Sequence, residues 1–392
     1  MSAHMRALLD ERRIIVCCGT GGVGKTTVSA VVAVEAARRG RRAVVVTIDP
    51  AKRLANTLGL DTLSNTAHEI DRRRWDAEGV APSTGRLFAL MLDTKSTFDG
   101  LVTRYSESPA QAERILDNRF YRSISSALSG TQEYMAMEKL YELHEDDSYD
   151  LIVVDTPPTR HALDFLDAPR RLTRLLDNRL FRLVIAPTRA SMRVAGRALQ
   201  AFLRQAAKVL GASAIEDVVA FFRAFEGMEE GFRDRAVHVL ELLSDHSTAF
   251  VLVTSPRRDA VEEASFFAAK LAESDIAVAA LVVNRVHPRF GDEAPEGLRA
   301  RAESLAKLDG DAERSAAGRR LAALYENLAD FQEVADRERR QFEGVRSRVE
   351  DATVDYVPFL AHDVYDFAAL SEVGRHLFAA EEPGPPASVR AS

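Results

Sequence analysis

Residues 13–27, RIIVCCGTGGVGKTT, decide the fold. A β-branched run passes into glycines, and Gly19, Gly24, Lys25 and Thr26 fill the pattern GxxxxGK[ST]. The following TTVSAVVAVEAARRG has helical spacing and a basic end before Gly40. Strand, loop, helix is the order a phosphate-binding loop requires. Glycines let backbone N–H groups wrap an anion, and the helix N-terminus adds partial positive charge. On this reading Gly19, Gly21, Gly22, Val23, Gly24, Lys25, Thr26 and Thr27 hold a nucleotide, Lys25 reaches its β/γ oxygens, and Thr26 ligates Mg²⁺. A chance glycine-rich turn is the alternative, and the correct flanks on both sides argue against it.

Outward from this loop the pattern recurs. RRAVVVTIDP, RLFALML, YDLIVVDTPP, TAFVLVTSP, IAVAALVVNRV and ATVDYVPF bring the buried runs to seven, separated by helical segments. That alternation predicts an α/β fold: a doubly wound, mainly parallel sheet covered on both faces. Two regions break it. Residues 96–145 and 161–245 are helical in pattern and read as insertions forming a helical subdomain beside the sheet. Residues 312–350, dense in Glu and Arg, read as a solvated surface helix. The expected organisation is an N-terminal extension over 1–12, one phosphate-loop domain over 13–380, and a disordered tail over 381–392 that is rich in Pro and small residues.

Composition narrows the function classes. The chain has 392 residues, 46% hydrophobic and 28% charged, enough for a large core. A net charge of −7 removes the basic field that non-specific nucleic-acid binding requires, so no nucleic-acid partner is expected. Cys17 and Cys18 are adjacent in an apolar run and form neither a disulfide framework nor a CxxC clip. They read as core filler in a reducing cytoplasm. Neither a secretory signal nor a membrane span is read from the sequence, which leaves peripheral association as the mode of membrane contact.

A Mg²⁺–nucleotide site also needs carboxylates at neighbouring strand ends. Asp155 closes LIVVD and suits a Mg²⁺ ligand of the Walker B kind; Asp49 closes VVVTID and suits orientation of the attacking water. Either alone is equally an N-cap or turn aspartate, and their joint occurrence with the loop favours the functional reading. Asn284, ending LVVN, is suited to a base edge through its amide and equally to forming a turn.

At these residues the chain resembles the ATPase family that includes the arsenite-pump ATPase and the factor targeting tail-anchored membrane proteins. GTGGVGKTT (19–27), IDPA (48–51), DTPPTRHA (155–162) and VVN (282–284) stand in that family's order. The resemblance implies a deviant-Walker P-loop fold, ATP and Mg²⁺ as cofactors, and Asp49 as the water-polarising residue of switch I. It further implies Asp155 at the head of switch II, Asn284 against adenine, and the segment from Pro358 near the base.

Departures from the family matter. Its signature lysine, which reaches the partner's phosphates across a face-to-face dimer, is Thr20 here. In switch II Pro157, Arg160 and Ala162 replace alanine, glycine and threonine, while Pro158 and Thr159 match. CCGTGGVGKTT, TIDPAKRLA, ILDNRFY, GTQEYMAMEKL and VVDTPPTRHALDFLDAPRRL bring the chain near a bacterial branch of paired ATPases, in which a lysine-less subunit accompanies a lysine-bearing one.

The expectation is a Mg²⁺-dependent ATPase subunit, weak alone and completed by a lysine-bearing homologue. ATP-driven closure would handle a hydrophobic protein client; VVAFFRAF and RLFRLVIAP suit the lining of a groove for it, although such apolar stripes more often form core. A regulatory scaffold that binds ATP with little turnover is the alternative from a different class. A partition-type ATPase is a weaker one, since those usually keep the signature lysine and no basic DNA patch is present.

Overall fold

The computed structural model describes residues 2–48, 53–60, 63–77, 79, 81–127, 131–157, 212–224, 227–307, 312–349 and 352–378. Asp49, switch II residues Pro158, Thr159, Arg160 and Ala162, residues 161–211 and the tail over 381–392 lie outside them.

Eight strands form one sheet: β1 (Ile14–Gly19), β2 (Arg42–Thr47), β3 (His68–Glu69), β4 (Arg86–Met91), β5 (Leu151–Asp155), β6 (Thr248–Thr254), β7 (Val278–Val286) and β8 (Thr353–Pro358). Their order is β3-β4-β2-β5-β1-β6-β7-β8. The seven runs read from the sequence are all strands and pair in parallel; the eighth, β3, is two residues long and antiparallel to β4. Such a short strand carries no periodicity by which to recognise it.

The central strands are buried on both faces, so their sequence is continuously apolar rather than alternating. Ile14, Val16 and Cys18 enter one core with Val44, Val46, Ile152 and Val154. Ile15 and Cys17 enter the opposite one with Ala43, Val45, Leu151 and Val153. Over that second face lies helix Lys25–Arg38, ten of whose residues are buried, with helix Phe367–Phe378 against it. The N-terminal helix Ser2–Glu11 joins this layer through Met5, Leu8 and Leu9, all fully or nearly fully buried.

Over the first face the helices Thr94–Tyr105, Pro109–Leu116, Arg119–Ala127 and Thr131–Glu145 pack with Ala212–Ala224 and Glu229–Ser244. Aromatic contacts stitch them together: Phe98 meets Tyr121 and Phe232, and Phe221 meets Phe120 and Tyr121. Phe221, within VVAFFRAF, is therefore part of this core. A buried ion pair joins the two helical segments, with Arg235 Nε 2.8 Å from Glu138 Oε2, Nη1 2.7 Å from Glu145 Oε2, and the guanidinium 3.9 Å from the centre of the Tyr141 ring. The surface helix expected over 312–350 is Ala312–Gln341, followed by the short turn Glu343–Arg346.

Candidate nucleotide site

In a parallel sheet the strand C-termini point one way and ligands collect there. The loop after β1 lies at that edge, running into helix Lys25–Arg38. Its shape depends on glycine at two positions. A Cβ on Gly19, with φ +147°, would stand 2.0 Å from the Val253 carbonyl oxygen; one on Gly24, with φ +96°, would stand 2.2 Å from Asn284 Nδ2. No side chain fits either place.

The loop's carbonyls are held by named donors. Lys25 Nζ, buried at 6% exposure, donates to the Thr20 carbonyl over 2.7 Å. Asn284 Nδ2 donates to Val23 O over 2.8 Å, and Arg285 Nη1 to Gly22 O over 3.1 Å. Because a trans peptide sets C=O and N–H on opposite sides, the N–H groups of Val23 and Gly24 turn away from β7. Asn284 thus sits beneath the loop, its Oδ1 accepting from the Arg285 N–H over 2.9 Å.

Opposite β7 stands the polar cluster of β2 and β5. Thr47 and Asp155 are register partners, which places them side by side. Asp155 Oδ2 accepts from Thr47 Oγ1 over 3.0 Å and from Thr26 Oγ1 over 2.8 Å, in a setting where Asp155 is 1% exposed. Thr156 Oγ1 donates to the Cys17 carbonyl over 2.9 Å, tying the end of β5 to β1, and the buried Pro157 follows. Burial pushes the Cys17 thiol up to about 12 and holds Cys18 well above its ordinary range. Neither is a thiolate nucleophile or metal ligand near neutral pH.

The donors fit Mg²⁺. One carboxylate and a threonine hydroxyl are hard oxygen ligands, and Mg²⁺ takes one or two carboxylates while keeping waters and substrate phosphates. Among the described residues no group of three or more His, Cys, Asp or Glu side chains is arranged to hold a metal, so a softer all-protein cage has no support there.

A cavity of about 460 Å³ opens beside the loop, lined by Gly22, Gly24, Lys25, Thr26 and Thr27, by Arg53, Asn56 and Thr57, and by Thr156, Arg285, Val364 and Tyr365. Residues expected from the sequence thus come together: the loop, Lys25, Thr26, Asp155 and Asn284. Pro358 ends β8 beside Val286, with Phe359 N–H donating to the Val286 carbonyl over 2.8 Å. Sequence reasoning missed Arg53, Arg285 and Tyr365, since an arginine or tyrosine beyond a motif has no spacing to mark it.

Comparisons with known proteins agree with this geometry. The chain is 28% identical to "ATPase GET3" of Chaetomium globosum over 45% of its own length and 49% of that protein. It is 28% identical to "ATPase GET3B" of Arabidopsis thaliana over 71% of its length and 65% of that protein. It is 26% identical to "Putative arsenical pump-driving ATPase 2" of Aquifex aeolicus over 74% and 85%. The match to the first of these spans about half of that relative. No helix among the described residues is long and apolar enough to cross a membrane. The family model described as "Anion-transporting ATPase" matches residues 12–313, and with its loop at the head of a parallel sheet the chain belongs to that family.

Proposed function

We propose that the chain is a Mg²⁺-dependent, deviant-Walker ATP-binding and hydrolysing subunit of a dimeric ATPase. The observation that carries this reading is Thr26 and Asp155 sharing a hydrogen bond beside the glycine loop. Bound Mg²⁺ would neutralise charge developing on the transferred phosphoryl group. Thr26 and Asp155 are the residues that would hold it. The loop N–H groups and the N-terminus of helix Lys25–Arg38 bind phosphate oxygens, and Lys25 leaves the Thr20 carbonyl to reach the β/γ oxygens. Asp49 orients the attacking water. Val364 and Tyr365 line the cavity, and with Asn284 and the segment from Pro358, which lie at the ends of β7 and β8, they are assigned to the base.

Thr20 sets the stoichiometry. A homodimer would lack a lysine reaching across to either phosphate chain, and a trans cation of this kind is worth on the order of 10³-fold in rate. A lysine-bearing homologue would complete the pocket built by Lys25, Thr26, Asp49 and Asp155 of this chain, while its own pocket would meet Thr20. Closure on ATP is then coupled to a protein or membrane-protein client. The expected result is low ATP hydrolysis by the isolated chain, rising steeply when the lysine-bearing homologue is added; full activity alone would sink the heterodimer reading. A cytoplasmic setting follows from this role.

The alternative, a regulatory scaffold with little turnover, is favoured by Thr20 alone. It gives no reason for Asp155 to be held by two hydroxyl donors at the head of the loop.

A further inference from the structure

Arg285 is a charged, exposed residue at the end of a strand, and its backbone is unusual. Its φ of +61° lies in the left-handed region that a non-glycine side chain rarely adopts. The pairing of β7 with β8 slips between Asn284 and Val286, so Arg285 occupies a β-bulge. Bulges next to ligand sites re-aim a side chain, and strained backbone persists only where its surroundings fix it. Both fixing contacts are present: Asn284 Oδ1 accepts the Arg285 N–H, while Asn284 Nδ2 grips the loop at Val23.

The bulge delivers the guanidinium to the phosphate loop, where Nη1 meets Gly22 O at 3.1 Å. That single contact leaves further N–H donors of the five on a guanidinium available for an anion. Among the described residues, the cavity it borders is lined by three cations, Lys25, Arg53 and Arg285, and by no Asp or Glu, in a chain of net charge −7. Lys25 and Arg285 approach from the two ends of one loop stretch, on the Thr20 and Gly22 carbonyls. Position 20 is uncharged, so the second cation at this loop comes from β7.

We infer that Arg285 is a phosphate-binding residue, supplying from this same chain a second cation that grips the nucleotide's phosphate chain on the flank opposite Asp155. The inference rests on the ATP site proposed above. It differs from a purely structural role, in which Arg285 only buttresses Gly22. Guanidinium on phosphate is charge-assisted, and its contribution grows with the number of phosphates bound.

The test uses the full chain and three variants, titrated with fluorescent ATP, ADP and AMP analogues and with uncharged adenosine. Arg285→Gly keeps the positive φ and removes the charge; Arg285→Lys keeps the charge; Lys25→Ala is the site control. For Arg285→Gly we expect Kd for ATP to rise 10- to 100-fold, by less for AMP and not at all for adenosine, with an unchanged or higher Tm. Arg285→Lys should recover most of the ATP affinity. Wild-type ATP affinity in Arg285→Gly, or an equal loss for adenosine and ATP, would overturn the inference while leaving the ATP site standing. If the unsubstituted chain binds no ATP and Lys25→Ala changes nothing, the ATP-site reading fails, and this inference fails with it.

Discussion

Thr26 Oγ1 lies 2.8 Å from Asp155 Oδ2, joining the first turn of the loop helix to the end of β5. On the proposed reading this pair would hold the cation, and each member has a distinct loss. Asp155→Asn replaces an anionic acceptor with a neutral amide, so Mg²⁺-stimulated ATP hydrolysis by the reconstituted dimer should fall on the order of 10²-fold or more. Nucleotide binding in EDTA should be nearly unchanged. A Mg²⁺ titration of binding and turnover checks both, and an undiminished Mg²⁺ response would remove Asp155 from the metal site.

Asp49→Asn separates an ATPase from a scaffold. Turnover should drop by about 10² to 10⁴-fold, the range for loss of a positioned proton acceptor, while the ATP Kd changes little. If partner binding and nucleotide affinity both persist and the unsubstituted dimer itself turns over no ATP, the scaffold reading takes over.

Arg235 is 5% exposed and Glu138 1%, so the pair joining the helical segments is fully desolvated. Burial holds the Glu138 carboxyl above its ordinary range despite donors from Tyr134 and Arg235. Arg235→Ala strands that carboxylate and should destabilise the fold by about 3 to 5 kcal/mol in urea unfolding. The double variant Arg235→Met, Glu138→Leu should recover part of this, because it removes the stranded buried charge while Glu145, the guanidinium's other partner, is exposed enough to stay solvated. A double variant as unstable as Arg235→Ala would mean the pair does more than satisfy itself.

Asp355, on β8, is 2% exposed and its Oδ2 has no hydrogen-bond partner. Burial lifts its carboxyl to about 6, with the nearby His4 opposing the rise. The folded chain therefore holds this proton more tightly than the unfolded chain. Stability falls as pH rises from about 4 through about 6 and stays lower above. Asp355→Asn removes the titration and should add on the order of 2 kcal/mol at pH 8 and little at pH 4. Thermal melts across that range decide it; a pH-independent effect would refute the assignment.

The parallel sheet and the loop were legible because both are local signals. RIIVCC and LIVVD are buried on both faces and so apolar throughout, and GTGGVGKTT has a sterically dictated spacing. Asp155 could be picked out by its place at a strand end. β3 could not, since His68 and Glu69 are held there by pairing with Phe88 and Ala89, not by their own pattern. Arg285 was hidden for a related reason: its role comes from a register slip between two strands some seventy residues apart. Asn284 was visible as a residue, but its grip on Val23 depends on a contact across 261 positions.

Cys17 and Cys18 point to opposite faces of the central strand, each sealed inside a separate core. They are the chain's two thiols, and neither meets solvent unless the sheet opens. A chromogenic disulfide reagent added to the native chain would therefore register only global opening, timing it without any engineered label. Bound nucleotide, by stabilising the loop that β1 feeds directly, would lengthen that clock in inverse proportion to the unoccupied fraction.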